Sequence, residues 1–310
     1  MKTPFYTLSL KDAEKDLLLF SRKLGESFSK WGFCGIRDHN IDTNLVAEVQ
    51  GLFRDFFDLP EDIKRTYHLP ELNGARGYTP FKVETAKDSN LADLKEFWHV
   101  GRELGFKDPY RKWMPENINI SEIELFNKKT NELFLQFDQL GNSLLKGIAL
   151  YLDQDADFFK NITNKGNSIM RVIHYPPVDV KEKGTRAGAH EDINLITLLI
   201  GGQQAGLEIL SKDNEWLRAS VESDVIICNI GDMLQRLTNN NLSSTTHRVQ
   251  AIGDEMKSSR YSIPFFVHPN PDWLIETLQN QISEENPNFY PKGILAEDFL
   301  QERLKEIKLR

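Results

Sequence analysis

Apolar residues recur at helical spacing through the first part of the chain. Over residues 12–31 they return every three or four positions, which predicts an amphipathic helix with one buried stripe. A second helix is predicted over about residues 44–58. It ends before Pro60, because proline disfavours the helical conformation in the residue that precedes it. Between residues 69 and 115 no clean period survives, and repeated glycine and proline indicate irregular structure, where a lid or substrate wall could lie.

The clearest helix of the sequence comes next. Ser121 and Glu124 have the spacing of a capping box, which predicts the start of this helix. The apolar residues that follow fall on one helical face, and we interpret that face as a packing surface rather than a cofactor site. They are Phe126, Leu133, Phe137, Leu140, Leu144, Ile148 and Tyr151.

After Asn167 the pattern changes to short runs rich in β-branched and aromatic residues, separated by Gly, Pro, Asn and Asp. Several such strands without helices between them favour an antiparallel sandwich or barrel over a parallel sheet, with helices packed outside a β core. The segment AEDFLQERLKEIK is predicted to be a closing helix. The predicted strands lie in SIMRVIHY, INLITLLI, GLEIL, DVIICNI and RYSIPFFV.

Composition and charge narrow the class of protein. The 310 residues are 40% hydrophobic and 27% charged, as in an ordinary globular chain, and a single core decorated with helices is expected. A net charge of −8 disfavours nucleic acid as a partner. The two cysteines form neither a disulfide framework nor a thiolate metal site. The charged N-terminus lacks the apolar stretch of a signal peptide, and no run approaches a membrane span, so a cytoplasmic location is expected.

Three residues have the chemistry of a metal site. In an extended segment the side chains at positions i and i+2 project to one face, so His190 and Asp192 could grip one ion. Alone the pair is weak evidence, because a surface histidine beside a solvated acid produces the same pattern. His247, in a later strand-like run, supplies a third ligand. Two imidazoles and one carboxylate on one face of iron(II) leave three positions open, as oxygen chemistry requires.

A second pair, Arg260 and Ser262, stands at the start of RYSIPFFV, again on one strand face. A guanidinium can bind a carboxylate through two charge-assisted hydrogen bonds, and a hydroxyl adds a third donor. The alternative is an exposed arginine that opens a strand. Because the pair follows the metal histidine, we predict an anchor for a dicarboxylate.

These motifs occur together in a fixed order along nearly the whole chain. The ordered set resembles the isopenicillin N synthase-like branch of the 2-oxoglutarate and iron(II)-dependent dioxygenases, and a set of this kind is highly specific. The matching motifs are WGFCGIRDHNID, FFDLPEDIK, RGYTPF, DLKEFWHVG, RVIHYPP, HEDINLITLL, GLEIL, NIGDMLQRLTNN, STTHRV and RYSIPFF.

The resemblance implies a mainly β fold with flanking helices, whose core is a double-stranded β-helix, or jelly roll. Residues 1–118 would form a helical and irregular N-terminal region, and residues 119–310 the long helix, the jelly roll and the C-terminal helix. Tyr175 matches a tyrosine that often contacts the co-substrate, whereas Ile173 stands where the family frequently has asparagine. By the same resemblance, iron(II) is assigned to His190, Asp192 and His247, and the distal carboxylate of 2-oxoglutarate to Arg260 and Ser262.

The implied activity couples oxidative decarboxylation of 2-oxoglutarate by O₂, giving succinate and CO₂, to hydroxylation, desaturation or cyclisation of a small-molecule substrate. Ascorbate could support it. One rival is an oxidase of the same fold that uses no 2-oxoglutarate, either isopenicillin N synthase-like or ascorbate-coupled. The Arg-x-Ser pair does not separate the two. The other rival is a jelly roll that binds metal as a sensor or carrier without catalysis. The substrate and the oligomeric state stay open.

The remaining polar and aromatic residues have less specific patterns. Asn229, Gly231 and Asp232 are expected to form a tight structural turn, since Gly and Asp are turn formers. Arg171 and His174 flank a strand and could face either a pocket or solvent. Four residues could line the substrate entrance, although buried aromatic residues more often simply pack. They are Arg76, Tyr78, Phe97 and Trp98.

Overall fold

The computed structural model describes residues 3–85, 91–179, 182, 184–201, 206–251 and 253–306. Helices dominate the first half of the chain and the C-terminus. Among these residues none of the helices is both long and apolar enough to cross a membrane. The α-helices are α1 (Leu10–Lys15), α2 (Leu17–Trp31), α3 (Thr43–Phe57), α4 (Glu61–Thr66), α5 (Phe126–Tyr151), α6 (Lys160–Thr163), α7 (Asp232–Leu237) and α8 (Ala296–Glu306).

Most of the strands belong to two sheets. Within the described residues the larger sheet has eight strands in the order β1-β2-β10-β7-β12-β5-β4-β3, and the smaller has four in the order β6-β11-β8-β9. β13 and β14 pair separately. The strands are β1 (Thr7–Ser9), β2 (Phe33–Arg37), β3 (Gly77–Thr79), β4 (Glu96–Gly101), β5 (Ile169–Tyr175), β6 (Ala187–His190), β7 (Ile196–Ile200), β8 (Leu207–Leu210), β9 (Trp216–Arg218), β10 (Ile226–Ile230), β11 (His247–Val249), β12 (Arg260–Val267), β13 (Leu274–Ile275) and β14 (Ile294–Leu295).

The chain alternates between the two sheets. From β5 to β8, successive strands fall in the larger and the smaller sheet by turns, and β10, β11 and β12 repeat the alternation. In the larger sheet β10 pairs with β7, and β12 pairs with both β7 and β5. These pairings are antiparallel. This winding is a double-stranded β-helix, as the resemblance implied. The N-terminal strands extend the larger sheet, with β2 beside β10 and β4 beside β5.

The long helix α5 supports the larger sheet from outside. The rings of Phe134 and Phe137 contact Phe265 of β12, with centroid distances of 4.9 and 5.1 Å. On its other side α5 meets α2, where the Ser21 hydroxyl donates to the carbonyl of Gly147 at 2.6 Å. The predicted apolar stripe of α5 is therefore a packing face, and it contacts the sheet that carries β12.

Two helix starts differ from the sequence prediction. The helix predicted over residues 12–31 is broken at Asp16, whose carboxylate accepts from the backbone N–H of Leu19 and so begins α2 anew. The capping box predicted at Ser121 is wrong, because α5 begins at Phe126, after Leu125 in a left-handed conformation. The Ser121 hydroxyl instead donates to the neighbouring Glu122 carboxylate.

The segment predicted to be irregular contains a buried strand. All six residues of β4 are buried, because the strand lies inside the larger sheet between β3 and β5. A strand covered on both faces has no alternation of polar and apolar residues, so its pattern gave no sign of it. Residues 86–90 of that segment, and residues 307 and 308 of the predicted C-terminal helix, lie outside the described residues.

Candidate functional site

The two histidines predicted to bind metal lie side by side on neighbouring strands of the smaller sheet. His190 ends β6, His247 begins β11, and their Cα atoms are directly paired. Asp192 follows two residues after β6, and its Oδ1 lies 3.9 Å from the Nε2 atom of each histidine. One ligand atom from each residue lies within 4.8 Å of the others, and among the described residues no other group of histidine, cysteine and carboxylate side chains converges in this way.

Both imidazoles are held in the form that binds a metal. The Nδ1 of His190 lies 2.7 Å from the carbonyl of Gly188, and that of His247 lies 3.1 Å from the carbonyl of Thr245. Only a protonated Nδ1 can donate to a carbonyl, so each Nε2 keeps its lone pair for an ion. Burial is the main cause that lowers the pKa of His190 to about 4, which keeps the ring neutral at physiological pH.

The carboxylate of Asp192 is oriented by its second oxygen. Oδ2 accepts hydrogen bonds from the Thr197 hydroxyl at 2.6 Å and from the Asn229 amide at 2.7 Å. Burial alone would raise the pKa of Asp192, but the two histidines and these donors outweigh it and lower the pKa. Oδ1 is thereby left ionised and directed at the histidines.

The prediction that Asn229 belongs to a structural turn is wrong. Asn229 lies inside β10, and its side-chain amide orients Asp192. Gly231 comes after the strand, just before the first turn of α7. A Cβ on Gly231 would stand 2.2 Å from the carbonyl oxygen of Asn194, so the residue must be glycine for the two segments to touch. This contact fixes the loop that follows Asp192.

The predicted dicarboxylate anchor lies on β12, which is the strand between β7 and β5 in the larger sheet. Arg260 and Ser262 of β12 are 3% and 2% exposed, and Arg260 is paired with Tyr175 of β5. The Arg260 guanidinium lies 4.9 Å from the centre of the Tyr175 ring. Its Nε and Nη1 have no hydrogen-bond partner among the described residues. A buried guanidinium in that state requires an anion, and a carboxylate fits it.

Sequence reasoning missed a second arginine at the anchor. Arg186 comes just before β6 and is buried, and its Nη2 donates to the carbonyls of Glu255 and Ser258 at 2.6 and 2.7 Å. Burial and the charge of Arg260 lower its pKa. Arg186 therefore adds positive charge beside Arg260 and ties down the segment before β12. Its signal in the sequence is only its place in the run TRAGAHED.

A cavity of about 490 Å³ opens at the metal site. Its wall includes His190 and Asp192, and α8 covers it with Leu300 and Leu304. Arg260 is not part of this wall. Two of the three metal ligands thus line a cavity whose volume suits a small organic molecule, and the buried anion site at Arg260 lies outside its wall.

Ion pairs line part of the cavity. Glu84 binds Arg171 at 3.2 Å and Lys95 at 2.5 Å, and Lys95 also binds Asp93 at 2.8 Å. Burial alone would raise the pKa of Glu84, but the two cations outweigh it and hold the pKa well below its usual range. Arg171 also donates to Nε2 of His99. Arg171 therefore faces the cavity, with its charge already matched.

The four residues predicted to line the substrate entrance separate in the structure. Arg76 is part of the cavity wall, and the other three are not. Tyr78 and Trp98 pack in the main core, where both contact Phe56, and the Tyr78 hydroxyl donates to Glu96. Phe97 packs in a smaller cluster that includes Tyr175. For these three aromatic residues, packing accounts for the position.

Relatives of the chain bear on both rival functions, an oxidase that uses no 2-oxoglutarate and a metal-binding jelly roll without catalysis. Residues 166–269 match the 2OG-Fe(II) oxygenase superfamily, and residues 4–121 match the N-terminal region of the non-haem dioxygenases in morphine synthesis. A 2-oxoglutarate-Fe(II) type oxidoreductase, hxnY of Emericella nidulans, is 30% identical over 98% of this chain and 88% of its own length.

Solved structures agree with these matches. A 2OG-Fe(II) oxygenase family protein from Caulobacter crescentus is 43% identical with a TM-score of 0.92, over 99% of this chain and 100% of that one. T7H of Neurospora crassa in complex with alpha-KG, which is 2-oxoglutarate, is 25% identical with a TM-score of 0.84, over 96% and 95%. T7H was also solved with alpha-KG and 5-formyluracil. The chain belongs to the 2OG-Fe(II) oxygenase superfamily and is an iron(II)- and 2-oxoglutarate-dependent dioxygenase.

Proposed function

We propose that His190, Asp192 and His247 hold the iron(II), that Arg260, Ser262 and Tyr175 bind 2-oxoglutarate, and that the cavity beside His190 receives a small-molecule substrate. The observation that carries this assignment is the convergence of three metal-binding atoms at a cavity whose wall includes His190 and Asp192. The buried Arg260, two of whose nitrogens have no hydrogen-bond partner among the described residues, supports the co-substrate site. An imidazole, imidazole and carboxylate set suits an iron(II) that must keep positions open.

The bound iron and co-substrate supply the oxidising chemistry, in which O₂ and 2-oxoglutarate become succinate and CO₂ while the substrate is oxidised. The residues of this chain bind and orient. The backbone carbonyls behind His190 and His247 fix the two imidazole tautomers, and Thr197 and Asn229 fix the carboxylate of Asp192. Arg260 neutralises the far carboxylate of the co-substrate in a place that excludes water.

The same proposal covers the branch of the family, the division of the chain into two regions and the location in the cell. The chain is placed in the isopenicillin N synthase-like branch on its ordered motifs. Residues 1–118 are taken as the N-terminal region and residues 119–310 as the catalytic part, although strands from both complete one sheet. A cytoplasmic location is supported by Cys34 and Cys228, which lie opposite each other on β2 and β10 and are free thiols.

The assignment of iron is tested with His190→Ala, Asp192→Ala and His247→Ala. Each variant is expected to lose iron(II) binding in an anaerobic titration, and with it succinate formation, while circular dichroism shows the fold retained. His68→Ala is the control, since His68 lies outside the metal site and the cavity wall. Iron affinity equal to wild type in all three variants would refute the assignment.

A further inference from the structure

Arg76 is a buried cation of the cavity wall that has no carboxylate partner in the part of the chain that the structure describes. Arg76 comes just before β3 and is 1% exposed. Its Nη1 donates to the carbonyl of Ala75 at 2.7 Å, but its Nε and Nη2 have no hydrogen-bond partner among the described residues. The guanidinium lies against Gly101, where an added Cβ would stand 1.9 Å from the Arg76 Cζ. Glycine at that place leaves room for the charged group.

The other cations of the wall differ from Arg76. Arg171, Lys95 and Arg303 each bind a carboxylate of the protein at 3.2 Å or less. Burial lowers the pKa of Arg76 to about 10, so the side chain is still charged at neutral pH. A buried charge without a partner costs stability, and such a cost is found where function needs the charge.

We propose that Arg76 binds a carboxylate of the substrate, so that this enzyme oxidises a small organic acid. The inference rests on the proposed function, because it takes the cavity beside His190 as the substrate site. The Nε and Nη2 of a guanidinium lie along one edge and point the same way. That edge matches the two oxygens of a carboxylate, which can accept both hydrogen bonds at once.

The planar fork also argues against a neutral ligand. A carboxamide offers one acceptor oxygen and would leave one of the two buried N–H groups unpaired. A site built to satisfy both donors discriminates strongly against a ligand that cannot, because the unpaired donor carries its full desolvation cost. The cavity of about 490 Å³ has room for a carboxylic acid of modest size.

The test uses the full chain loaded with zinc(II) and saturated with 2-oxoglutarate, with ¹⁵N-labelled arginine. The Nε–H signal of Arg76 is assigned by its loss in Arg76→Met. Butyrate and hexanoate are titrated beside butyramide and hexanamide. We expect the carboxylates to shift this signal with saturation, and the amides to bind at least about tenfold more weakly, as the loss of one charge-assisted hydrogen bond implies.

Two variants sharpen the test. Gly101→Ala keeps the charge but displaces the guanidinium, so hexanoate should bind more weakly than to wild type. Arg102→Met is the matched control, because Arg102 is paired with Asp138 and lies outside the cavity wall, and hexanoate binding should be unchanged. Without ligand, Arg76→Met should melt at or above the temperature of wild type, since it removes an unpaired buried charge.

Several results would overturn the proposal. They are a signal that no carboxylate shifts, equal binding of acid and amide, a signal that 2-oxoglutarate alone shifts to saturation, and a melting temperature of Arg76→Met below that of wild type. The last would make Arg76 a structural residue. Failure of 2-oxoglutarate to bind at all would instead count against the proposed function, and the same samples show it by calorimetry.

Discussion

Removing the Arg260 guanidinium should separate co-substrate binding from metal binding. Arg260→Ala takes away the charge that faces the far carboxylate of 2-oxoglutarate, at a position that is 3% exposed. Loss of one partner from a buried, hydrogen-bonded charge pair costs about 2–5 kcal/mol, or roughly 30-fold to several-thousand-fold in affinity. Ser262→Ala removes a neutral donor, which costs about 0.5–1.5 kcal/mol, or roughly two- to twelvefold.

The assay is an anaerobic titration of the iron(II) protein with 2-oxoglutarate, followed by the visible charge-transfer absorption of the iron chelate. Iron content is measured separately and should match wild type in both variants, because neither residue is among the converging ligands. Arg102→Ala serves as the control, since its guanidinium is paired with Asp138. If Arg260→Ala titrates like wild type, Arg260 does not hold the co-substrate and the reasoning from its unpaired nitrogens fails.

Two other substitutions test how the site is supported. Asn229→Ala should weaken iron(II) binding by roughly 10–100-fold without unfolding the chain, because the Asp192 carboxylate loses one of the hydrogen bonds that orient it. Anaerobic iron titration measures this change in affinity. Glu84→Gln should lower the melting temperature at neutral pH, because Arg171 and Lys95 both lose a buried ion-pair partner. Such a loss costs about 3–5 kcal/mol of stability, and the cost is smaller for Lys95 because Asp93 still binds it. Folding lowers the pKa of Glu84, so its contribution to the stability of the fold is fully present above about pH 4.3 and is lost as the pH falls. The melting temperatures of wild type and Glu84→Gln should therefore converge in acid.

Only part of the metal site had a local signal, because His247 lies far along the chain from the pair His190 and Asp192. The two-residue period of a strand puts His190 and Asp192 on one face, where an imidazole and a carboxylate can bind the same metal ion. The residues that orient Asp192 were not predictable in this way. Asn229 reaches it only because β10 pairs with β7 in the larger sheet, a contact between positions far apart in the chain.

The errors in the predicted fold have similar causes. β4 was missed because both of its faces are buried, so no alternation marks it. Phe97 and Trp98 therefore looked like candidates for a substrate wall, although they are packing residues of that strand. The predicted capping box had the right spacing, but α5 begins only at Phe126, and the Ser121 hydroxyl donates to the Glu122 carboxylate instead of accepting from a backbone N–H. Spacing alone does not decide between competing hydrogen bonds.

The most direct test of the whole account is an anaerobic crystal structure of the protein with iron(II) and 2-oxoglutarate. We expect an anomalous peak for an iron ion bound by Nε2 of His190, Nε2 of His247 and the carboxylate of Asp192, with the far carboxylate of 2-oxoglutarate on Arg260. Iron bound by other residues, or a co-substrate whose far carboxylate lies away from Arg260, would contradict it.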